Sequence, residues 1–226
     1  MKTPSSRCQF IKKTALFAGA GLALPLLPAD AQETNASSAP PAPALPPAPT
    51  PTNMMTLDGT FWVEDGAPYM VFCNEWVQIS DGTIEHMPLK DDLSEAVGAP
   101  KRMFRGSSAK WSELIEEGGH VTDGPYLWKG KTGKLHMIWS SRDDTQRYMC
   151  GIAISDSGKL AGPWRQQDEP VFKDNGGHGM IFNSFDGRLM LVPHAPDWRG
   201  PQPHIFEIED TGETPRILRE FTGAEQ

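Results

Sequence analysis

Asp123-Gly-Pro-Tyr-Leu-Trp-Lys-Gly-Lys-Thr-Gly133-Lys-Leu-His-Met-Ile-Trp139 decides the reading of this chain. Two apolar runs flank a turn glycine, the pattern of a β-hairpin, and a polar residue stands ahead of the first run. The same design returns in Asp58-Gly-Thr-Phe-Trp-Val-Glu-Asp-Gly66-Ala-Pro-Tyr-Met-Val-Phe72 and in His178-Gly-Met-Ile-Phe-Asn-Ser-Phe-Asp-Gly187-Arg-Leu-Met-Leu-Val192. The polar residue lies eight to ten positions before its turn glycine, and the three glycines are 67 and then 54 residues apart. That spacing is too wide for a small solenoid and suits a multi-stranded sheet repeated around an axis. If each segment is the inner hairpin of a propeller blade, Asp58, Asp123 and His178 all point into one central tunnel.

Outward from these hairpins, strand patterns dominate: Pro68–Asn74, Trp76–Ile79, Leu135–Ser140, Met149–Ile154, Arg188–Val192 and Pro203–Ile208. Asp65-Gly66, Asp81-Gly82, Thr132-Gly133, Ser157-Gly158 and Asp186-Gly187 bound them with the turn chemistry that hairpins require. The strands come in adjacent pairs, which favours antiparallel meanders over βαβ units. Helical turns are expected only at Ser112–Glu117 and Asp91–Ala96. The fold class is all-β.

The front of the chain reads as an export signal over residues 1–31. Lys2, Arg7, Lys12 and Lys13 precede an apolar run from Leu16 to Leu27 and the small-residue site Ala29-Asp30-Ala31. The run is too short for a membrane span, so no membrane association is expected after processing. Cys8 stands where a twin-arginine signal would have its second arginine, which leaves the translocon open. Residues 32–54 form a Pro/Ala-rich linker with seven prolines between Ala39 and Pro51, a semi-rigid spacer without a core. Residues 55–226 are the expected folded domain, large enough for about four blades at roughly 40–50 residues each.

Without residues 1–31 the chain carries 17 Lys and Arg against 28 Asp and Glu, a formal charge of −11. Nucleic acid is a poor partner for such a surface, because its affinity rests on cationic contacts to phosphate. Neutral ligands, sugars among them, fit an acidic, Trp-rich surface better. Cys73 and Cys150 lie in apolar strand patterns, as buried thiols or as one disulfide. No Cys/His spacing suggests zinc.

At Leu57-Asp58-Gly-Thr-Phe, Asp123-Gly-Pro-Tyr-Leu, Gly158-Lys-Leu-Ala-Gly-Pro-Trp164 and Gly177-His178-Gly-Met the chain resembles glycoside hydrolase family 43. The resemblance runs from about Leu57 to Glu209. It implies a five-bladed β-propeller acting mainly on arabinose- and xylose-containing polysaccharides. The family is similar to other inverting glycosidases, with a carboxylate base, a carboxylic acid and a third carboxylate that tunes the acid. Asp58 matches the tuning aspartate, and Asp123 falls where the family has its general acid, there usually glutamate. His178 matches an axial histidine that in many relatives helps hold a calcium ion through water. The base belongs to a blade ahead of Asp58, where this sequence has only the spacer, so the resemblance implies a propeller that lacks its first blade.

Each of these residues also has a plain structural reading. Asp58-Gly and Asp123-Gly-Pro are ordinary turn sequences, and His178 suits a hydrogen-bonded structural role as well as an ion or substrate contact. Trp62, Trp128 and Trp139 sit inside strand patterns and read as core, whereas Trp76, Trp111 and Trp198 are candidate sugar platforms. Glu75 reads as a strand-end charge. The leading expectation is an exported glycosidase with Asp123 and Asp58 as its catalytic pair and His178, Trp76 and Trp198 as substrate contacts. The alternatives are a sugar-binding propeller without a base, and a remnant that needs a completing chain or an oligomer.

Overall fold

The computed structural model describes residues 50–223. The signal reading and most of the linker reading lie outside the described residues. Three antiparallel sheets account for nearly all the regular structure. The first contains β1 (Thr56–Glu64), β2 (Ala67–Asn74), β3 (Thr83–Pro88) and β4 (Lys101–Arg105) in that order. The middle sheet contains β5 (Asp123–Lys129), β6 (Leu135–Arg142), β7 (Tyr148–Ser155) and β8 (Trp164–Gln166). The third contains β9 (Gly177–Asn183), β10 (Leu189–Ala195), β12 (Phe206–Asp210) and β13 (Pro215–Glu220), with β11 (Gln202–Pro203) pairing the end of β10. The innermost strands are neighbours, β5 touching both β1 and β9.

Alternation along the strands explains how the sheets stack. Met137 and Trp139 of β6 face the first sheet, meeting Val71, Cys73, Ile84 and Phe104. Ile138 between them faces the third sheet, with Cys150, Ile152 and Ile154 against Ile181, Leu191 and Ile208. The middle sheet is covered on both faces, so β7 is buried along its whole length and its sequence reads as a continuous apolar run. Each fully buried side chain of this size contributes about 2 kcal/mol. Gly151 is part of this packing: a Cβ there would lie 1.9 Å from the Trp111 indole, which packs against Trp139 at 4.9 Å between ring centroids.

Several expectations change. Trp76–Ile79, expected as a strand, is a single helical turn, α1, closed by the Ser80 amide donating to the Trp76 carbonyl at 2.7 Å. Four residues are too few to separate a period of 2 from one of 3.6. The expected turns at Ser112–Glu117 and Asp91–Ala96 are non-helical loops, and the one 3-10 turn among the described residues is Gly106–Ser108. Three sheets are present where the residue count allowed about four blades, because long connections such as 106–122 occupy the difference. Cys73 and Cys150 are both buried free thiols. No helix among the described residues is long and apolar enough to cross a membrane.

Candidate active site

Each inner strand carries one extra residue at the same level. The register of β1 against β2 slips between Leu57 and Thr60, that of β5 against β6 between Asp123 and Tyr126, and that of β9 against β10 between Gly177 and Met180. At each slip the chain enters the left-handed region, with φ of 54° at Asp58, 56° at Gly124 and 54° at His178. Such bulges re-aim side chains beside functional sites, and a non-glycine residue in this region stores strain. The structural equivalent of Asp58 and His178 is therefore Gly124, and Asp123 stands one position ahead.

The three bulges are joined. Gly124 N–H donates to Asp58 Oδ2 at 3.0 Å, and His178 Nε2 lies 3.7 Å from Asp58 Oδ1. A Cβ on Gly124 would lie 2.8 Å from the His178 ring, so glycine lets the imidazole lie against the backbone. His178 N–H donates to Ser140 Oγ at 2.8 Å. Asp58, Asp123 and His178 are thus brought to one place, as their spacing indicates. Asp58 is largely buried, Asp123 buried, and His178 nearly half exposed.

Asp123 accepts at Oδ2 from the Tyr148 hydroxyl, 2.8 Å away. Tyr148 opens β7 directly opposite Arg142, the last residue of β6. The Arg142 guanidinium lies 5.2 Å from the Tyr148 ring centroid, and the His194 ring stacks on it at 5.8 Å. Asp197 ties both, 2.6 Å from Arg142 and 3.7 Å from His194. Burial first, then the charge of Asp123, pushes the Tyr148 phenol well above its usual range. Tyr148, Arg142, His194 and Asp197 escape the sequence reading because they come from the ends of three strands and a loop, each ordinary in its own context.

The tryptophans divide. Trp198 is exposed in the loop that follows β10, one residue from Asp197. Trp76 is half-buried, packed with Ile115, Val121 and Tyr148 and lying on Gly119, so it supports the wall of the site. Trp111, a candidate platform by sequence, is buried over Gly151 and belongs to the core. Cys73 sits beneath the site. Burial pushes its thiol far up, and the charges of Asp123, Asp58 and Glu75 add to that. A thiol held neutral is not a nucleophile.

The calcium reading requires oxygen donors, six to eight in number. Only the Asp58 carboxylate lies beside the His178 imidazole, and no group of three or more His, Cys, Asp or Glu among the described residues is placed to hold an ion. These residues do not by themselves form a calcium cage of direct protein ligands.

The family model for glycosyl hydrolases family 43 matches residues 42–217. An endo-arabinase from Bacteroides thetaiotaomicron is 39% identical with a TM-score of 0.70, the match covering 74% of this chain and 61% of that one. An α-L-arabinofuranosidase from Lactobacillus brevis is 21% identical with a TM-score of 0.56, over 74% of this chain and 57% of that one. A β-xylosidase/α-arabinofuranosidase from a compost microbial metagenome, in a calcium-free complex with xylotriose, is 16% identical with a TM-score of 0.55, over 72% and 57%. These last two share the fold. No curated protein matches. The chain spans about three fifths of the length of these enzymes. With the family model covering most of the chain and three bulged hairpins at its centre, this protein belongs to glycosyl hydrolases family 43.

Proposed function

We propose that the protein is an exported glycoside hydrolase acting on O-glycosidic bonds of arabinose- or xylose-containing polysaccharides or oligosaccharides. Asp123 is its general acid, Asp58 the carboxylate that keeps the proton on Asp123, and His178 and Trp198 contacts to the sugar. The observation that carries this reading is the Asp58 carboxylate of the first sheet accepting from the Gly124 amide, which directly follows Asp123 in the middle sheet. A negative charge beside a carboxylic acid disfavours loss of its proton, which is what a proton donor to a leaving oxygen needs. Export is supported by the basic, then apolar, then small-residue pattern of residues 1–31.

The test is product release from aryl arabinosides, aryl xylosides and arabinan by monodisperse protein. Asp123→Asn is expected to lower kcat at least about a hundredfold, the contribution of a positioned acid. Equal rates in the two proteins would overturn the assignment of Asp123.

A second reading is a sugar-binding propeller. It is supported by the third inner strand, whose bulge carries His178 where the first carries a carboxylate. Saturable binding of pentose oligomers without product is its signature. Completion by a second copy belongs to either reading, since the outward faces of the first and third sheets expose Phe61, Val63 and Met180.

A further inference from the structure

We propose that Tyr148, gripped by Arg142, His194 and Asp197, is the positioning residue that fixes which oxygen of Asp123 carries the proton. The inference rests on the reading of Asp123 as the acid. The Tyr148 hydroxyl donates to Oδ2, which leaves the proton of a neutral Asp123 to reside on Oδ1. Burial holds the Tyr148 phenol un-ionised, so it keeps a proton to donate to Oδ2. Orientation matters more for aspartate than for glutamate, because its carboxyl group has one fewer bond about which to correct a misaimed proton.

The grip is built from separate parts of the chain. Arg142 is fixed twice, donating to the Gln146 carbonyl at 2.9 Å and to Asp197 at 2.6 Å, and its guanidinium lies against the phenol ring. The His194 ring stacks on the same phenol with 27° between planes. Gly177 closes the remaining approach, since a Cβ there would come within 2.2 Å of the ring. A buried tyrosine needs some partner for its hydroxyl, but packing alone does not require that partner to be a carboxylate or the ring to be held by a guanidinium and an imidazole. Asp58, His178, Arg142, His194 and Asp197 are the charged or titratable groups facing this pair, with the thiols of Cys73 and Cys150 behind it.

Tyr148→Phe keeps the ring and removes the donor. Its kcat is expected to fall about tenfold with KM unchanged on substrates with poor leaving groups. Little should be lost on 2,4-dinitrophenyl glycosides, whose departure needs no proton. Removing a donor to the carboxylate also disfavours its ionised form, so the basic limb of the kcat–pH profile moves to higher pH. Independently of any turnover, 13C NMR should show the Asp123 carboxyl releasing its proton at higher pH in Tyr148→Phe than in the unsubstituted protein. Arg142→Gln, which loosens the clamp and keeps the hydroxyl, should move it the same way by less. An Asp123 titration that is identical in all three folded proteins overturns the proposal. A shifted titration in a protein that hydrolyses nothing upholds the role of Tyr148 and counts against the glycosidase reading instead.

Discussion

At Gly124 two demands fall on one backbone position. The residue must adopt φ of 56°, and it must leave room for the His178 ring. Gly124→Ala violates both, and we expect it to destabilise the fold by about 2 kcal/mol or more, read from the denaturant midpoint. Asp58 and His178 take the same conformation with side chains, at an energetic cost that the packed sheets must offset. Aspartate tolerates it better than most residues because its short polar side chain bonds locally. The convergence of Asp58, Asp123 and His178 is legible in the sequence, since each stands at a similar distance from a turn glycine. The one-residue offset of Asp123 is not, because a bulge shows only when two strands are set in register. Tyr148 is hidden for another reason: in an apolar run, nothing distinguishes a phenol that packs from one that also donates.

Hairpin turns do more than reverse the chain. The β1–β2 turn reaches the loop between β7 and β8, with Asp65 bound to Lys159 at 2.6 Å and Glu64 accepting from the Leu160 amide. The β5–β6 turn reaches the loop between β12 and β13 in the same way. There Lys131 N–H donates to Asp210 at 2.7 Å, His136 Nε2 lies 2.9 Å from the Glu213 carbonyl, and Lys134 and Arg165 both bind Glu213 and Asp156.

These latches give the fold a two-step acid response. Burial holds the His136 and His86 imidazoles below their ordinary range. As pH falls through about 6.5 the unfolded chain gains protons that the folded chain refuses, so stability declines first between pH 7 and 5. Arg165 and Lys134 hold Asp156 down at about 2, and Lys159 holds Asp65 low. Their contribution is present above the ordinary aspartate range and is lost as pH falls from about 4 towards 2. Melting curves across pH 9 to 2 should show both declines. His136→Gln should lessen the first, and salt should lessen the second, because these carboxylates are exposed. The glycine turns behind the latches are readable in the sequence, since left-handed backbone is a local requirement. Their partners in the next sheet lie 77 to 96 positions away along the chain and leave no local mark.

The described residues form three sheets in a row. The inner turn of the first sheet latches to the middle sheet, and that of the middle sheet to the third. The corresponding turn of the third, Ser184–Gly187, meets no further sheet among the described residues, and Phe185 there is fully exposed. We expect the protein to self-associate reversibly in sedimentation experiments at micromolar concentration. Phe185→Asp combined with Met180→Lys should leave it monomeric without lowering its melting temperature. Repetition around an axis is visible in the spacing of the turn glycines, whereas the number of sheets is not, because connection lengths vary freely at the surface. The middle sheet, covered on both faces, also divides the molecule by lifetime. Its amides are expected to exchange with deuterium only when the whole structure opens, and those of the outer sheets through smaller fluctuations. Asp58 and His178 therefore hang on the two sheets that breathe, and Asp123 and Tyr148 share the one that does not. On the proposed reading, sugar would enter and leave by motions that do not disturb the alignment of the Asp123 proton.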